Sequence, residues 1–383
     1  MSESEKNLDD VCEFIVDCLH ATAPVQEDGF PLIRTPNIGR GRLLLDGVYR
    51  VSEDTYDEWT RRAKPEADDL ILAREAPAGN VAIVKNGQTV CLGQRTVHLR
   101  PDTRQVDPDF LCYYLLAPQQ QGLLLAAETG ATAKHVNMKD IRRLPLRNMP
   151  NIENQRRAGR FLATYDDIIE NNRRRITLLE QAARLLYKEW FVHLRFPGHE
   201  HTSIINGVPE GWERKRLGEI ATILKGKKIA QEMTEDGNVP VVAGGLKPAY
   251  YHNTANALGP VITVSASGAN AGYVALYHQD IWASDCSYLS SSDNPEIWFL
   301  YLAMKSSQAE ITGMQQGSAQ PHVYPKHLKC LCLQNPPKTL RKHFHETVES
   351  SFLQIENLEK QIVKLARARD LLLPKLMNGE VAV

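Results

Sequence analysis

Gly130-Ala-Thr-Ala-Lys-His-Val-Asn-Met-Lys139 returns 187 residues further on as Gly317-Ser-Ala-Gln-Pro-His-Val-Tyr-Pro-Lys326. The match runs on through Leu144-x-Leu146 against Leu331-x-Leu333, then through Asn148-Met149-Pro150 against Asn335-Pro336-Pro337. One residue then drops out, and Ile169-Glu-Asn-Asn-Arg-Arg-Arg-Ile176 aligns with Ile355-Glu-Asn-Leu-Glu-Lys-Gln-Ile362. Solenoid repeats run about 20–50 residues, so this interval is a tandem copy of one large module. A pseudo-twofold internal repeat puts two similar surfaces on one chain and implies a target with two related parts.

Outward from that repeat, 383 residues suffice for two domains of ordinary size, each with its own core. With 43% hydrophobic and 24% charged residues the composition is that of a soluble globular chain. No apolar run approaches membrane-spanning length, and the start, Met1-Ser-Glu-Ser-Glu-Lys6, is polar, so neither a signal segment nor a membrane partner is expected. The seven cysteines (Cys12, Cys18, Cys91, Cys112, Cys286, Cys330, Cys332) lack CxxC or zinc-finger spacing and mostly sit among apolar neighbours. They read as buried thiols in a reducing cytoplasm, and no metal site is expected. The net charge of −1 is not that of a nonspecific nucleic-acid binder. Basic residues are nevertheless clustered. Arg142, Arg143, Arg147, Arg156, Arg157, Arg160 and Arg173-Arg174-Arg175 crowd the end of the first copy, while Arg214-Lys215-Arg216 and Lys225-x-Lys227-Lys228 open the second. Either a solvated face or phosphate contact explains one cluster; two at matching places favour phosphate contact.

Each copy divides into a mixed α/β portion and a long helix. The divisions fall at 1–150 for the first domain, 151–200 for the central helix, 205–337 for the second domain and 338–383 for the C-terminal helix. Asp69-Leu-Ile-Leu-Ala73, Asn80-Val-Ala-Ile-Val84 and Arg95-Thr-Val-His-Leu99 read as strands between Gly/Pro turns. Pro108-Asp-Phe-Leu-Cys-Tyr-Tyr-Leu-Leu116 and Pro295-Glu-Ile-Trp-Phe-Leu-Tyr-Leu-Ala303 read as matching short helices; elsewhere the α/β portions resemble each other only faintly. In the long helices Leu162, Tyr165, Ile169, Asn172, Ile176, Leu179, Ala183, Leu186 and Trp190 keep a 3–4 spacing. So do Val348, Ser351, Ile355, Leu358, Ile362, Leu365, Arg369, Leu372 and Leu376. These are coiled-coil seams over about four heptads, each helix about 40 Å long at ~1.5 Å per residue. Pairing one seam with the other satisfies both within the chain; homodimerisation is the alternative. Asn172 and Arg369 are polar seam positions that set register, and Pro374 is expected to kink or end the second helix.

A stranded domain, a long helix, a second domain opening Pro209-Glu-Gly-Trp-Glu-Arg-Lys-Arg-Leu-Gly-Glu-Ile-Ala221 and a second long helix together resemble the specificity subunit of type I restriction–modification systems. The likeness covers essentially the whole chain. It includes Phe30-Pro-Leu-Ile-Arg-Thr-Pro-Asn-Ile38, Ala73-Arg-Glu-Ala-Pro-Ala-Gly-Asn-Val-Ala82, Cys91-Leu-Gly-Gln-Arg95, both Gly-x-x-x-x-His-Val segments and Leu178-Leu-Glu-Gln-Ala-Ala-Arg-Leu-Leu-Tyr-Lys-Glu-Trp-Phe191. One departure is that the first domain lacks the Trp-x-x-x-x-Leu-Gly-Glu opening and begins Val11-Cys-Glu-Phe-Ile-Val-Asp-Cys-Leu19 instead. The resemblance implies two α/β (α+β) target recognition domains separated by two long antiparallel coiled-coil helices. It implies a non-catalytic, cytoplasmic reader of double-stranded DNA without a cofactor of its own. Each domain would read half of a split, asymmetric sequence, and the helices would set the gap. Its partners would be two modification (methyltransferase) subunits, which carry S-adenosylmethionine and methylate adenine, and restriction (translocase/endonuclease) subunits. Major-groove faces on one side of B-DNA recur every ~34 Å, comparable with the length of either helix. The competing reading is a coiled-coil scaffold that organises protein partners without touching DNA, which footprinting separates.

Readout needs forked or amide donors at base edges, with cations and hydroxyls on phosphate. In the first domain those residue types, on loops near predicted strand ends, are Arg34, Thr35, Asn37, Arg40, Arg42, Arg74, Arg95, Thr132, Lys134 and His135. In the second they are Lys225, Lys227, Lys228, Ser265, Ser267, Asn270, Gln320, His322 and Lys326. Each is also readable as a surface or turn residue, and Asn270 in Ser-Gly-Ala-Asn-Ala-Gly suits a tight turn. His135 and His322, equivalent in the repeat, are either phosphate or base contacts or buried histidines that orient the loop.

Catalytic readings fail on residue type. Asn335-Pro-Pro-Lys338 is similar to the Asn-Pro-Pro-aromatic motif of amino-methyltransferases, but Lys338 replaces the aromatic that stacks on a flipped base. Lys225-Gly-Lys-Lys228 lacks the spacing and the Ser/Thr of a phosphate loop. Ser265-x-Ser267-Gly is not Gly-x-Ser-x-Gly, and Asp68-Asp69 has no evident partner for a metal nuclease.

Overall fold

The computed structural model describes residues 6–130, 134–317 and 320–381. The chain forms two compact units, one made of the residues to Asn172 with those from Lys360, the other of Arg173–Glu359. The central helix runs Ile152–Tyr187 and the C-terminal helix Lys338–Met377, so each helix contributes to both units.

Asn151 starts the central helix by accepting the Asn154 backbone N–H on its side-chain oxygen at 3.0 Å. Gly159 is required inside it, because a Cβ there would stand 2.5 Å from the Phe110 backbone nitrogen. The helix ends in a wider π turn, Lys188–Val192, that turns both Trp190 and Phe191 into the core. Pro374 neither stops the C-terminal helix at its own position nor lies far inside it; the helix ends three residues later.

The two helices pair antiparallel in each unit. In the first, Asn172 Nδ2 donates to Gln361 Oε1 at 3.2 Å and Arg369 pairs with Asp166. In the second, Tyr187 and Trp190 set their rings 6.0 and 5.4 Å from Phe344. Of the seam residues, Leu162, Ile169, Asn172, Trp190, Ile355, Leu358 and Leu376 are buried, whereas Tyr165, Ile176, Leu179, Leu186, Ile362, Leu365 and Leu372 are only partly so. Asp166 and Tyr187, not Tyr165 and Leu186, take the deepest places, as Phe352 and Leu373 do beside Ser351 and Leu372. A straight helix drifts ~20° per heptad against a 3.5 repeat. Here the ends of each helix also pack on a domain core, which rewards a different stripe.

The faint likeness of the α/β portions conceals one strand plan used twice. In the first unit the main sheet has the order Cys12–Asp17, Thr96–Pro101, Leu70–Ala73, Val81–Ile83, Gly41–Arg42. The second unit repeats four of these as Leu224–Lys225, Cys286–Ser290, Val261–Ser265, Val274–Tyr277. Phe30–Ile33 lies antiparallel to Arg50–Val51 and parallel to Cys91–Leu92, and Val239–Val242 likewise lies between Tyr250–His252 and Trp282–Ala283. A ribbon closes each domain onto its helix, Lys6–Asn7 with Pro145–Leu146 and Glu213–Arg216 with Cys332–Asn335.

That ribbon corrects the reading of the first domain's opening. Leu8 donates its N–H to Leu144 O at 3.0 Å as Leu217 does to Leu331 O at 2.8 Å. Asp10 accepts the Asn7 N–H as Glu219 accepts that of Arg216. Leu8-Asp9-Asp10-Val11 therefore stands in for Leu217-Gly-Glu-Ile220, and the homologous opening precedes Cys12.

Each core lies between the main sheet and a short helix that is apolar all round. Phe110–Leu116 are all buried against Leu70, Leu72, Val81, Ile83, Val97 and Leu99, and Ile297–Met304 are all buried against Ile262, Val264, Val274 and Leu289. Cys18, Cys91, Cys112 and Cys286 are buried as expected. Cys330 and Cys332 are exposed, because Cys332 lies in the closing ribbon and Cys330 just before it, not in the core.

Candidate nucleic-acid interface

In the first unit four loops are tied together at one end of the main sheet. Arg74 donates its N–H to Arg95 O at 3.1 Å, and its carbonyl accepts the Val136 N–H at 2.9 Å. Gly93 donates to Ile33 O at 2.8 Å, and Thr35 Oγ1 to Ala76 O at 3.4 Å. His20, Arg74, Glu75, Gln94, Arg95 and His135 line a cleft of about 320 Å³ there. Its charges are largely paired: Arg74 and His20 both hold Asp17, at 2.7 and 2.9 Å, and Arg95 holds Glu75 at 3.1 Å. Arg34 is exposed, with its guanidinium 4.3 Å above the Tyr49 ring. Lys134 is exposed beside the half-buried His135. Thr132 lies outside the described residues.

Four first-domain candidates do structural work. Arg42 is buried, donating to Gly41 O, to Ala163 O at 3.2 Å and to Asp167 at 2.7 Å. Burial opposes its charge, but Tyr113, Asp167 and Asp166 hold its pKa up. It braces the domain against the central helix, its guanidinium engaged within the protein. Arg40 donates to Leu116 O at 3.1 Å, the last residue of a short helix, where the backbone dipole favours a cation. Thr35 is buried, and the Asn37 side chain accepts the Arg34 N–H at 3.0 Å to hold the turn.

The second unit repeats the loop cluster with other residues. Gly226 and Lys227 donate their N–H groups to Cys286 O and Ala283 O at 2.8 and 2.9 Å, and Lys227 O accepts Trp282 Nε1 at 2.8 Å. That backbone clamp leaves the Lys225, Lys227 and Lys228 side chains exposed, Lys228 near Asp285 at 3.4 Å. Asp285 also accepts from Ser267. Ser267 bridges to His322 through the backbone, as Glu75 does to His135. The His322 ring stacks on Tyr324 at 5.4 Å, so neither equivalent histidine is a core residue. Gln320 and Lys326 are exposed, the latter on the short helix Pro325–Leu328. Ser265, by contrast, is buried and spends its hydroxyl on Gly244 O at 3.0 Å, and the Asn270 carbonyl closes a turn with the Tyr273 N–H.

Several exposed aromatic and apolar residues of the two domains escaped a search for forked and amide donors. Tyr49, Met233, Leu246 and Tyr251 are all more than half exposed. The signal available was an aromatic interleaved with basic residues, as in Tyr49-Arg50 and Lys247-Pro-Ala-Tyr-Tyr251.

Among the described residues no group of three or more His, Cys, Asp or Glu could hold a metal ion. Burial pushes the Cys12, Cys91 and Cys286 thiols up to about 12, so none is a thiolate near neutral pH.

A sequence model described as the type I restriction modification DNA specificity domain matches residues 2–181 and again 209–365. The chain belongs to this family. The specificity subunit is 26% identical to the type I restriction enzyme MjaIX specificity subunit of Methanocaldococcus jannaschii, over 88% of this chain and 83% of that one. It is 27% identical to the type I restriction enzyme EcoBI specificity subunit of Escherichia coli, over 41% of this chain and 34% of that one. A crystal structure of the type I restriction–modification S subunit from M. genitalium superposes with a TM-score of 0.60 at 18% identity, covering 97% of this chain and 95% of that chain, and shows the fold to be shared. The protein is the DNA sequence-specificity component of such a system, and the enzymatic activity resides in partner subunits. Among the described residues no helix is long and apolar enough to cross a membrane.

Proposed function

We propose that the specificity subunit reads a two-part, asymmetric DNA sequence, each domain taking one half-site through its clustered loops and the helices setting the gap. The observation that carries this reading is one strand plan used twice with different loop residues: Arg34, Arg95 and His135 in one domain, Lys227, Ser267 and His322 in the other. A repeated frame bearing unlike donors suits a target with two related but unequal halves.

The reading extends to the partners. Two modification subunits dock on the subunit and methylate adenine at the sequence it selects, in the cytoplasm, and restriction subunits join them. Exposed Leu178, Leu185, Val363 and Leu371 on the long helices support docking of other chains. The near-neutral net charge of −1 supports shared phosphate contact, so that the subunit alone binds DNA weakly.

Exchange of residues 217–331 for the same region of another family member tests the reading. The cut points follow the Leu217–Leu331 hydrogen bond, which closes the domain. Genome-wide mapping of methylated sequences should then show one new half-site, with the other half-site and the gap retained. A simultaneous change of both halves would sink the two-reader arrangement.

A further inference from the structure

Arginine is unequally shared between the two reading domains. Residues 8–147 contain thirteen arginines, and residues 217–335 contain none. At the first domain's loop cluster most guanidiniums are engaged inside the protein: Arg74 with Asp17, Arg95 with Glu75, and Arg50 with Gly29 O at 2.7 Å. Arg34 differs. Among the described residues its guanidinium has no carboxylate within ion-pair distance, and its Cζ stands over the exposed Tyr49 ring, 4.3 Å from the centroid.

Tyr49 is itself fixed, because its carbonyl accepts the Leu32 N–H at 2.8 Å at the edge of the strand that leads to Arg34. The stack limits the rotamers of a long side chain while leaving its forked N–H donors unspent. A fork of that kind matches the O6 and N7 acceptors of guanine in the major groove. Between Leu217 and Asn335 the second domain has no such group to present, and its Arg214 and Arg216 lie outside that span on the closing ribbon. The exposed donors at its loop cluster include the Lys225, Lys227, Lys228 and Lys326 ammonium groups and the Gln320 amide.

We propose that Arg34 reads a guanine in the first half-site, that Tyr49 is its positioning residue, and that the second domain reads its half-site without a guanidinium. This rests on the two-reader arrangement, and it adds the base class read by one half and the side chain that reads it.

The test maps methylated sequences in a host carrying the full chain with its own modification subunits. The first half-site is the one that persists when residues 217–331 are exchanged. It should specify at least one G·C pair. Arg34→Ala should relax that position alone, by about 5- to 150-fold in preference over other bases. Arg34→Lys should restore binding but not the full preference, because an ammonium cannot make two parallel bonds. Tyr49→Leu should loosen the same position, and Tyr49→Phe should keep it, since only the ring face is used. A first half-site without a G·C pair overturns the proposal, as does an unchanged preference in Arg34→Ala with the melting temperature of the parent. If the exchange still alters one half-site alone, the two-reader arrangement survives that failure. If the unaltered chain directs no two-part methylation, both fall.

Discussion

Asp166 of the central helix and Arg369 of the C-terminal helix form an ion pair in which Asp166 is buried and Arg369 largely so, and the Tyr113 hydroxyl donates to the other Asp166 oxygen at 2.5 Å. The repeat places Phe352 where Asp166 stands and Ala183 where Arg369 stands, so the second unit has an apolar contact at the equivalent level. Removing one member of a buried pair strands the other charge. Arg369→Met should therefore lower stability by about 3–5 kcal/mol. The double change Asp166→Leu with Arg369→Met should cost much less than the sum of the two single changes. Urea unfolding of the four proteins in this cycle gives the coupling, and additive losses would refute it.

Arg42 separates a structural arginine from a reading one. Its guanidinium is spent on Gly41 O, Ala163 O and Asp167. Arg42→Met should lower the melting temperature and leave the base preference of both half-sites unchanged. A changed half-site in a folded Arg42→Met protein would place this side chain at the DNA.

Acid should destabilise the protein in two separable steps. Burial depresses the His345 pKa below the ordinary histidine value, so the fold favours the neutral ring. Stability from that group is lost as pH falls below about 6.5. Burial would raise the Asp69 carboxyl, but hydrogen bonds from Arg100 and His98 outweigh it and hold the pKa below the usual range. Its contribution is complete above about pH 4 and is lost as pH falls further. His345→Gln should shrink the upper step and Asp69→Asn the lower one, read from unfolding midpoints between pH 7 and 3. The same profile in either variant would count against the assignment.

Lys227 is held by its backbone and free at its side chain, as a phosphate contact requires. Lys227→Ala should weaken binding of the assembled complex on all duplexes alike and lower the salt slope by about one. A loss confined to one sequence would make it a base reader.

The helices as a gauge of the gap can be tested where the chain passes from one unit to the other. Seven residues inserted after Asn172 and seven after Glu359 keep both seams in phase. They add about 10 Å at ~1.5 Å per residue, or about three base pairs at ~3.4 Å each. The methylated sequence should keep both half-sites with that longer gap, and an unchanged gap would remove the helices from this role.

By itself the sequence determined the duplication, the two long helices and the short apolar helices, Pro108–Leu116 being found where it was read. Those features depend on near neighbours: a 3–4 periodicity, a capping Asn151, and turns at Gly and Pro. The shared strand plan was not legible, because a strand's partners lie far away in sequence and Val, Ile and Leu substitute freely inside a sheet. Leu8 standing in for Leu217 was missed for the same reason, since a hydrogen bond to Leu144 defines the equivalence and not a motif. Only the tertiary structure decided which basic residues are available to a ligand. The role of a guanidinium is set by the carboxylates and carbonyls that folding brings beside it. For Arg42 these are Ala163 and Asp167, on the central helix, and for Arg74 it is Asp17, at the end of a strand two places away in the same sheet. Arg34 meets Tyr49 instead and keeps its donors.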